Sequence, residues 1–213
     1  MKRTILALAL AAASAVAFGD ITFNGLGPYY ETATISGHTS GTFYCGLLNF
    51  TDGSNSCGLG TNFNTICVDL DHEIGGGASW GADCLDSNTQ GGGLQLAGNI
   101  IASYYGLVTT NEQASGLQLA AWEAVYDGGL TADFSNGNFV VNNASSGALA
   151  WAALYYDTGS VVPGNAHYLR PADGSGGQGQ MGMPMAPVPE PATLAVLGLG
   201  VMAMRRRKKT ATR

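Results

Sequence analysis

"FNTICVDL", Phe63 to Leu70, is the stretch whose reading decides the fold. Ile66, Val68 and Leu70 alternate with Thr65, Cys67 and Asp69, the two-residue period of an extended strand. Cys67 therefore opposes the most apolar face of its strand and is turned toward whatever packs on the other side. Upstream, "TATISG" (Thr32 to Gly37) and "TFYCGLLNF" (Thr42 to Phe50) have the same β-branched and aromatic content, with Gly, Asn, Asp and Ser as punctuation. Ile21 to about Leu70 thus reads as a β-rich block, and Ile74 to Gly93 as a loop rich in Gly, Asp and Ser.

Downstream the period changes. Leu94 to Tyr105 reads as a helix, and a second helix runs from about Thr110 to Asp127. Thr109 and Glu112 fit a capping box at its start, and Gly128-Gly129 ends it. A short strand around Phe139 to Val141 precedes a third helix, Gly147 to Tyr156, and "NAHYLRP" reads as a last strand. A run of strands followed by helices gives an α+β fold: a β-rich sandwich or barrel-like sheet with a small helical part set against it. "GLQLA" occurs twice, at Gly93 to Ala97 and Gly116 to Ala120; without a third copy this is not a solenoid.

The second helix carries an anomaly. "LQLAAWEAVYD" (Leu117 to Asp127) reads as amphipathic, yet Gln118 shares a face with Trp122 and Val125. An amide buried without partners costs roughly 1–3 kcal/mol. Either Gln118 is a partly exposed residue at the helix border, or it is buried with its hydrogen bonds met, or it has reacted.

The ends of the chain look like addresses. Residues 1–17 form a basic start (Lys2, Arg3), an apolar run and Ala15-Val16-Ala17, the layout of a secretory signal peptide. Residues 171–187, rich in Gly, Gln, Met and Pro, read as a flexible stalk after an ectodomain spanning 18–170. Residues 188–213 then hold Val188-Pro189-Glu190-Pro191, an apolar segment 192–204 and the basic cluster 205–209. Thirteen apolar residues make a helix of roughly 20 Å, short of the ~30 Å hydrocarbon core, so it enters a membrane only by thinning it or snorkelling its basic flank. That flank stays cytoplasmic.

Charge narrows the partners. Of the fifteen Asp and Glu, all but Glu190 lie between the two terminal segments, where Arg170 is the lone cation and lysine is absent. Such a surface repels nucleic acid and anionic headgroups. "DLDHE" (Asp69 to Glu73) lacks the Gly and distal Glu of a calcium loop and a second His four residues on. It reads as a strand end entering an acidic turn, with no metal or other cofactor expected. No Gly-x-Ser-x-Gly elbow or Walker loop is present.

Two resemblances sharpen this picture. "VPEP", the apolar segment and "RRRKK", in that order, resemble the PEP-CTERM sorting signal of Gram-negative bacteria. This tail is also known as an ice-binding protein C-terminal domain, although the chain shows no regular Thr array. The resemblance implies recognition by an exosortase, with processing near Pro189, Glu190 and Pro191. It implies a protein held at the inner membrane by its C-terminal helix and then delivered to the envelope, outer surface or extracellular matrix. The second covers roughly Gly41 to Gly128. "FNTICVDLDHEI" and "SGLQLAAWEAVYD", about fifty residues apart, resemble the bacterial thioester domain family. It implies that the Cys67 sulfur and the Gln118 side chain condense, with loss of ammonia, into an internal thioester. An amine or hydroxyl on a partner then attacks it and becomes covalently linked.

On that resemblance Trp122 belongs to an apolar shell that excludes water, and Glu123 and His72 are polar neighbours. His72 is a candidate to activate the incoming nucleophile, against the plainer reading of a loop histidine with no such role. Gln95, in the first "GLQLA", is the competing acyl donor but lacks the following Ala-Trp-Glu. The absence of lysine fits, because an internal amine would consume the bond. The expected function is covalent attachment to a surface or matrix partner, spent in one reaction and not enzymatic. If Cys67 is acylated, Cys57 and Cys84, both in polar, loop-like stretches, form the natural disulfide, leaving Cys45 a buried thiol. The rival reading is a non-covalent structural protein with two disulfides, Cys67 included, and no thioester.

Overall fold

A computed structural model describes residues 18–159 and 163–185. The segments read as signal peptide (1–17) and sorting tail (188–213), Pro189 to Pro191 included, lie outside the described residues. Asn62–Cys67 is a strand, ending at Cys67 rather than running on to Leu70. In chain order the elements are β1 (Phe18–Gly37), β2 (Gly41–Asp52), β3 (Asn62–Cys67), β4 (Ser79–Asp86), α1 (Gly92–Tyr104), α2 (Asn111–Tyr126), β5 (Phe139–Asn143), α3 (Ser146–Gly159), β6 (His167–Pro171) and β7 (Gln180–Gly182). The α+β expectation holds: one antiparallel sheet of seven strands is joined by three helices among the described residues.

The sheet closes on itself. Its order is β2-β3-β7-β6-β4-β1-β5, and β2 also pairs with β1, so six strands form a barrel and β5 extends it. Long β1 makes closure work. Its first residues pair with β4, its length with β2, and its last residues with β5. Register shifts between Phe23 and Gly25 and between Leu26 and Tyr30 bend it on the way. Phe23, Phe50 and Phe63 stand in register on β1, β2 and β3, and Trp80 of β4 meets Phe50 edge-on across the enclosed space. Closure also leaves few unpaired edges for another chain to join.

Two strands were hidden in sequence that reads as loop or linker. β4 lies inside the Gly/Asp/Ser stretch 74–93, where Trp80 and Ala82 are buried. Its Asp83, only 6% exposed, is paired with Arg170 of β6. β7 lies inside the presumed stalk 171–187. It is buried throughout and joins β3 to β6, so the ectodomain extends past residue 170. "QGQM" supplies alternation without apolar bulk, and burial there is satisfied by amide hydrogen bonds: Thr65 Oγ1 donates to Gln180 Oε1 at 2.8 Å.

α2 is not the amphipathic helix that its polar residues imply. Ala114 to Ala124 are all buried, because α1 and α3 cover one side and β1, β2 and β3 the other. Its start is capped one residue later than expected. Thr110 Oγ1 accepts from Gln113 N–H at 3.2 Å, and Gln113 Oε1 accepts from Thr109 N–H at 2.8 Å. Thr110 is the cap, since it is the residue with extended backbone, and the Gln113 side chain reaches back past it to Thr109. The two "GLQLA" copies share a structural cause. A Cβ on Gly93 would meet Ala124 O at 2.4 Å, and one on Gly116 would meet Trp151 Cβ at 2.6 Å. Both glycines mark the places where α2 and a neighbouring helix approach too closely for a side chain.

A candidate reactive site at the end of the barrel

Where β3 ends, the chain turns sharply and is tied down from several directions. Val68 N–H donates to Gly179 O at 3.0 Å, and Leu70 N–H donates to the Tyr126 hydroxyl at 2.7 Å. Gln178 Nε2 donates to Asp69 O at 3.0 Å and also to His72 O. The turn that follows Cys67 is thus clamped by α2 on one side and by the segment leading into β7 on the other.

Gln118 is 1% exposed. Both ends of its amide are partnered, and both partners belong to one residue. Cys67 N–H donates to Gln118 Oε1 at 3.0 Å, and Gln118 Nε2 donates to Cys67 O. The anomaly of a primary amide inside an apolar helix has its answer: the amide caps the end of β3 at the cysteine. The two residues come from elements fifty-one positions apart.

The Cys67 sulfur is also buried. Its thiol donates to Asp69 O at 3.0 Å, and Asp69 N–H lies 3.4 Å from the sulfur. Burial pushes its pKa up to about 12; the Asp69 backbone opposes that shift and the Asp69 charge adds to it. The Trp122 indole N–H and Gln180 also favour the thiolate, yet the indole makes no hydrogen bond. Trp122 is packed edge-on against Phe43 and Phe139.

A cavity of about 550 Å³ opens onto this point. Cys67, Trp122, Phe43, Leu48, Leu70 and Ile74 give it an apolar lining, and His72, Glu73 and Gln178 a polar one. His72 lines the same cavity as Cys67. Glu123 does not. It follows Trp122 on a helix, so it points elsewhere, and its Oε1 accepts from Asp133 N–H at 2.9 Å. Burial raises its pKa to about 7, and its second oxygen has no partner. Gln95 lines a separate hollow with Leu96 and Leu130.

Cys57 and Cys84 are joined by a disulfide with Cα atoms 5.3 Å apart, tying the β2–β3 loop to β4. Cys84 is thus a strand residue and not a loop one. Cys45 and Cys67 are free and buried. Gln178, Gln180 and Tyr126 were missed as site residues. The period-two spacing of Gln178 and Gln180 was the available signal, masked by the glycines around it. Among the described residues no group of three His, Cys, Asp or Glu is placed to hold a metal ion, and no helix is long and apolar enough to cross a membrane.

Residues 187–209 match the PEP-CTERM protein-sorting motif. No curated protein and no solved structure matches the chain. The motif marks an exported protein, processed by exosortase and sorted by way of the membrane to the cell surface.

Proposed function

We propose that the exported ectodomain forms an internal thioester between Cys67 and Gln118 and spends it in covalent attachment to a surface or matrix partner. The observation that carries this reading is the buried Gln118 amide, held by both backbone groups of Cys67. The chemistry follows from that arrangement. Cys67 sulfur attacks Gln118 Cδ, and negative charge develops on Oε1, where Cys67 N–H already donates. The C–N bond breaks, the nitrogen takes up the proton given up by the Cys67 thiol and leaves as ammonia, and a carbonyl–sulfur bond remains in an apolar cavity. An amine or hydroxyl entering the cavity attacks the same carbon and frees the Cys67 thiol. Each molecule reacts once, so this is capture and not turnover. Cleavage of the tail by exosortase would leave the ectodomain free to reach its partner.

The test is uptake of methylamine. The purified ectodomain gains one methylamine at Gln118 and exposes one thiol, whereas Cys67→Ala and Gln118→Ala variants gain none. Folded wild-type protein that takes up none contradicts the reading.

A second reading has one observation in its favour. The Cys45 and Cys67 thiols are near enough that charge on one raises the pKa of the other. A Cys45–Cys67 disulfide would make this a non-covalent structural protein with two disulfides.

A further inference from the structure

Resting on the thioester reading, we propose that His72, oriented by Asp69, is the acid–base group that activates the incoming nucleophile and returns its proton to the Cys67 sulfur. Four observations lead there. His72 and Cys67 line the same cavity. His72 Nδ1 lies 2.9 Å from Asp69 Oδ2. A carboxylate only accepts, so Nδ1 carries the proton and Nε2 keeps a lone pair. Nε2 makes no hydrogen bond among the described residues, and the side chain is 55% exposed, open to an arriving molecule. Asp69 is itself fixed. Its Oδ2 accepts from Gly179 N–H at 3.0 Å and its Oδ1 from Asp71 N–H at 2.8 Å. Finally, one residue serves both ends, because the Asp69 carbonyl accepts from the Cys67 thiol while its carboxylate holds the imidazole.

The step balances without another reagent. His72 Nε2 takes the proton of a hydroxyl as its oxygen attacks Gln118 Cδ. The tetrahedral intermediate collapses, the Cδ–Sγ bond breaks, and the sulfur takes the proton from the imidazolium. The products are an ester at Gln118 and a neutral Cys67 thiol. Protonation at that moment matters, since the buried cysteine resists ionisation and a bare thiolate there is a poor leaving group. The groups that face this pair are Asp71 and Glu73 on the same turn, His38 after β1, Tyr126 of α2 and Tyr168 of β6. Among these residues none carries a permanent positive charge. His38 is engaged with Asp71 at 2.6 Å and stacks on Tyr126.

The experiment uses glycerol, a nucleophile that does not titrate near neutrality. Intact mass first establishes the missing ammonia in wild type, His72→Asn and His38→Asn. Coupling to glycerol is then followed across pH. Wild-type coupling weakens on acidification, with an inflection in its pH profile. His72→Asn is expected to couple roughly 10²-fold more slowly and to lose that inflection. His38→Asn should keep both the rate and the profile. A His72→Asn variant that retains wild-type rate and profile, or equal losses in both histidine variants, overturns the assignment and leaves the thioester standing. Absence of the ammonia loss in folded wild type overturns both.

Discussion

Two polar residues on α2 show how differently one buried helix treats its polar side chains. Gln118 has both ends of its amide bonded to Cys67, so neither its oxygen nor its nitrogen is buried without a partner. Glu123, 2% exposed, has one oxygen bonded and one bare. Its pKa, raised by burial to about 7 from 4.5, has a consequence for stability. Between those values the folded state holds a proton that the unfolded state has released. Stability is therefore full below about pH 4.5 in respect of this group and falls as pH rises through about 7. The loss should be about 3 kcal/mol. Glu123→Gln, which keeps an acceptor for Asp133, should remove that decline. Urea midpoints on either side of the window test it, and an unchanged decline in the variant contradicts the account. Sequence alone made Cys67 and Gln118 visible because an amide in an apolar stripe and a cysteine opposite a strand's apolar face both break a pattern. It misplaced Glu123 because adjacency along a helix is not adjacency in space.

At the scale of elements, close approach dominates. Gly116 lets α3 come within reach of the α2 backbone, with Ala148 O at 2.9 Å from where a Cβ would stand. Gly116→Ala should lower stability by about 1–3 kcal/mol despite the better helix propensity of Ala. Denaturant unfolding reads this directly, and a neutral or stabilising result would show that α3 can give way. The same packing explains what the sequence showed and what it concealed. The three helices were legible from their period and glycine stops, whereas the burial of α2 on every side was not, because that depends on α1, α3 and the sheet together. β4 and β7 were concealed for a simpler reason. "SWGADCLD" and "QMG" hold too little apolar bulk to register as strands, and their burial is satisfied by the Asp83–Arg170 pair and the Gln180–Thr65 bond.

For the whole molecule, the barrel is what brings the site together. β3 delivers Cys67 to one end, α2 lies across that end with Gln118 and Trp122, and the segment leading into β7 fixes the turn carrying Asp69 and His72. The Cys57–Cys84 disulfide, spanning 27 residues, holds the β2–β3 loop to β4 on the opposite course of β3. Replacing both cysteines by serine should cost about 3–4 kcal/mol in urea unfolding by the loop-entropy argument. A loss well below 1 kcal/mol would contradict that role. The α+β class and the C-terminal sorting motif were legible from the chain. The choice between sandwich and barrel-like sheet was left open, because closure rests on β7, a strand of three residues inside an apparent linker.

The most direct test of the central claim is the intact mass of the untreated, folded ectodomain. The account predicts a mass short by one ammonia and by the two hydrogens of the single Cys57–Cys84 disulfide, with the ammonia restored as water after mild alkaline hydrolysis. A mass short by hydrogens alone, two or four of them, contradicts it.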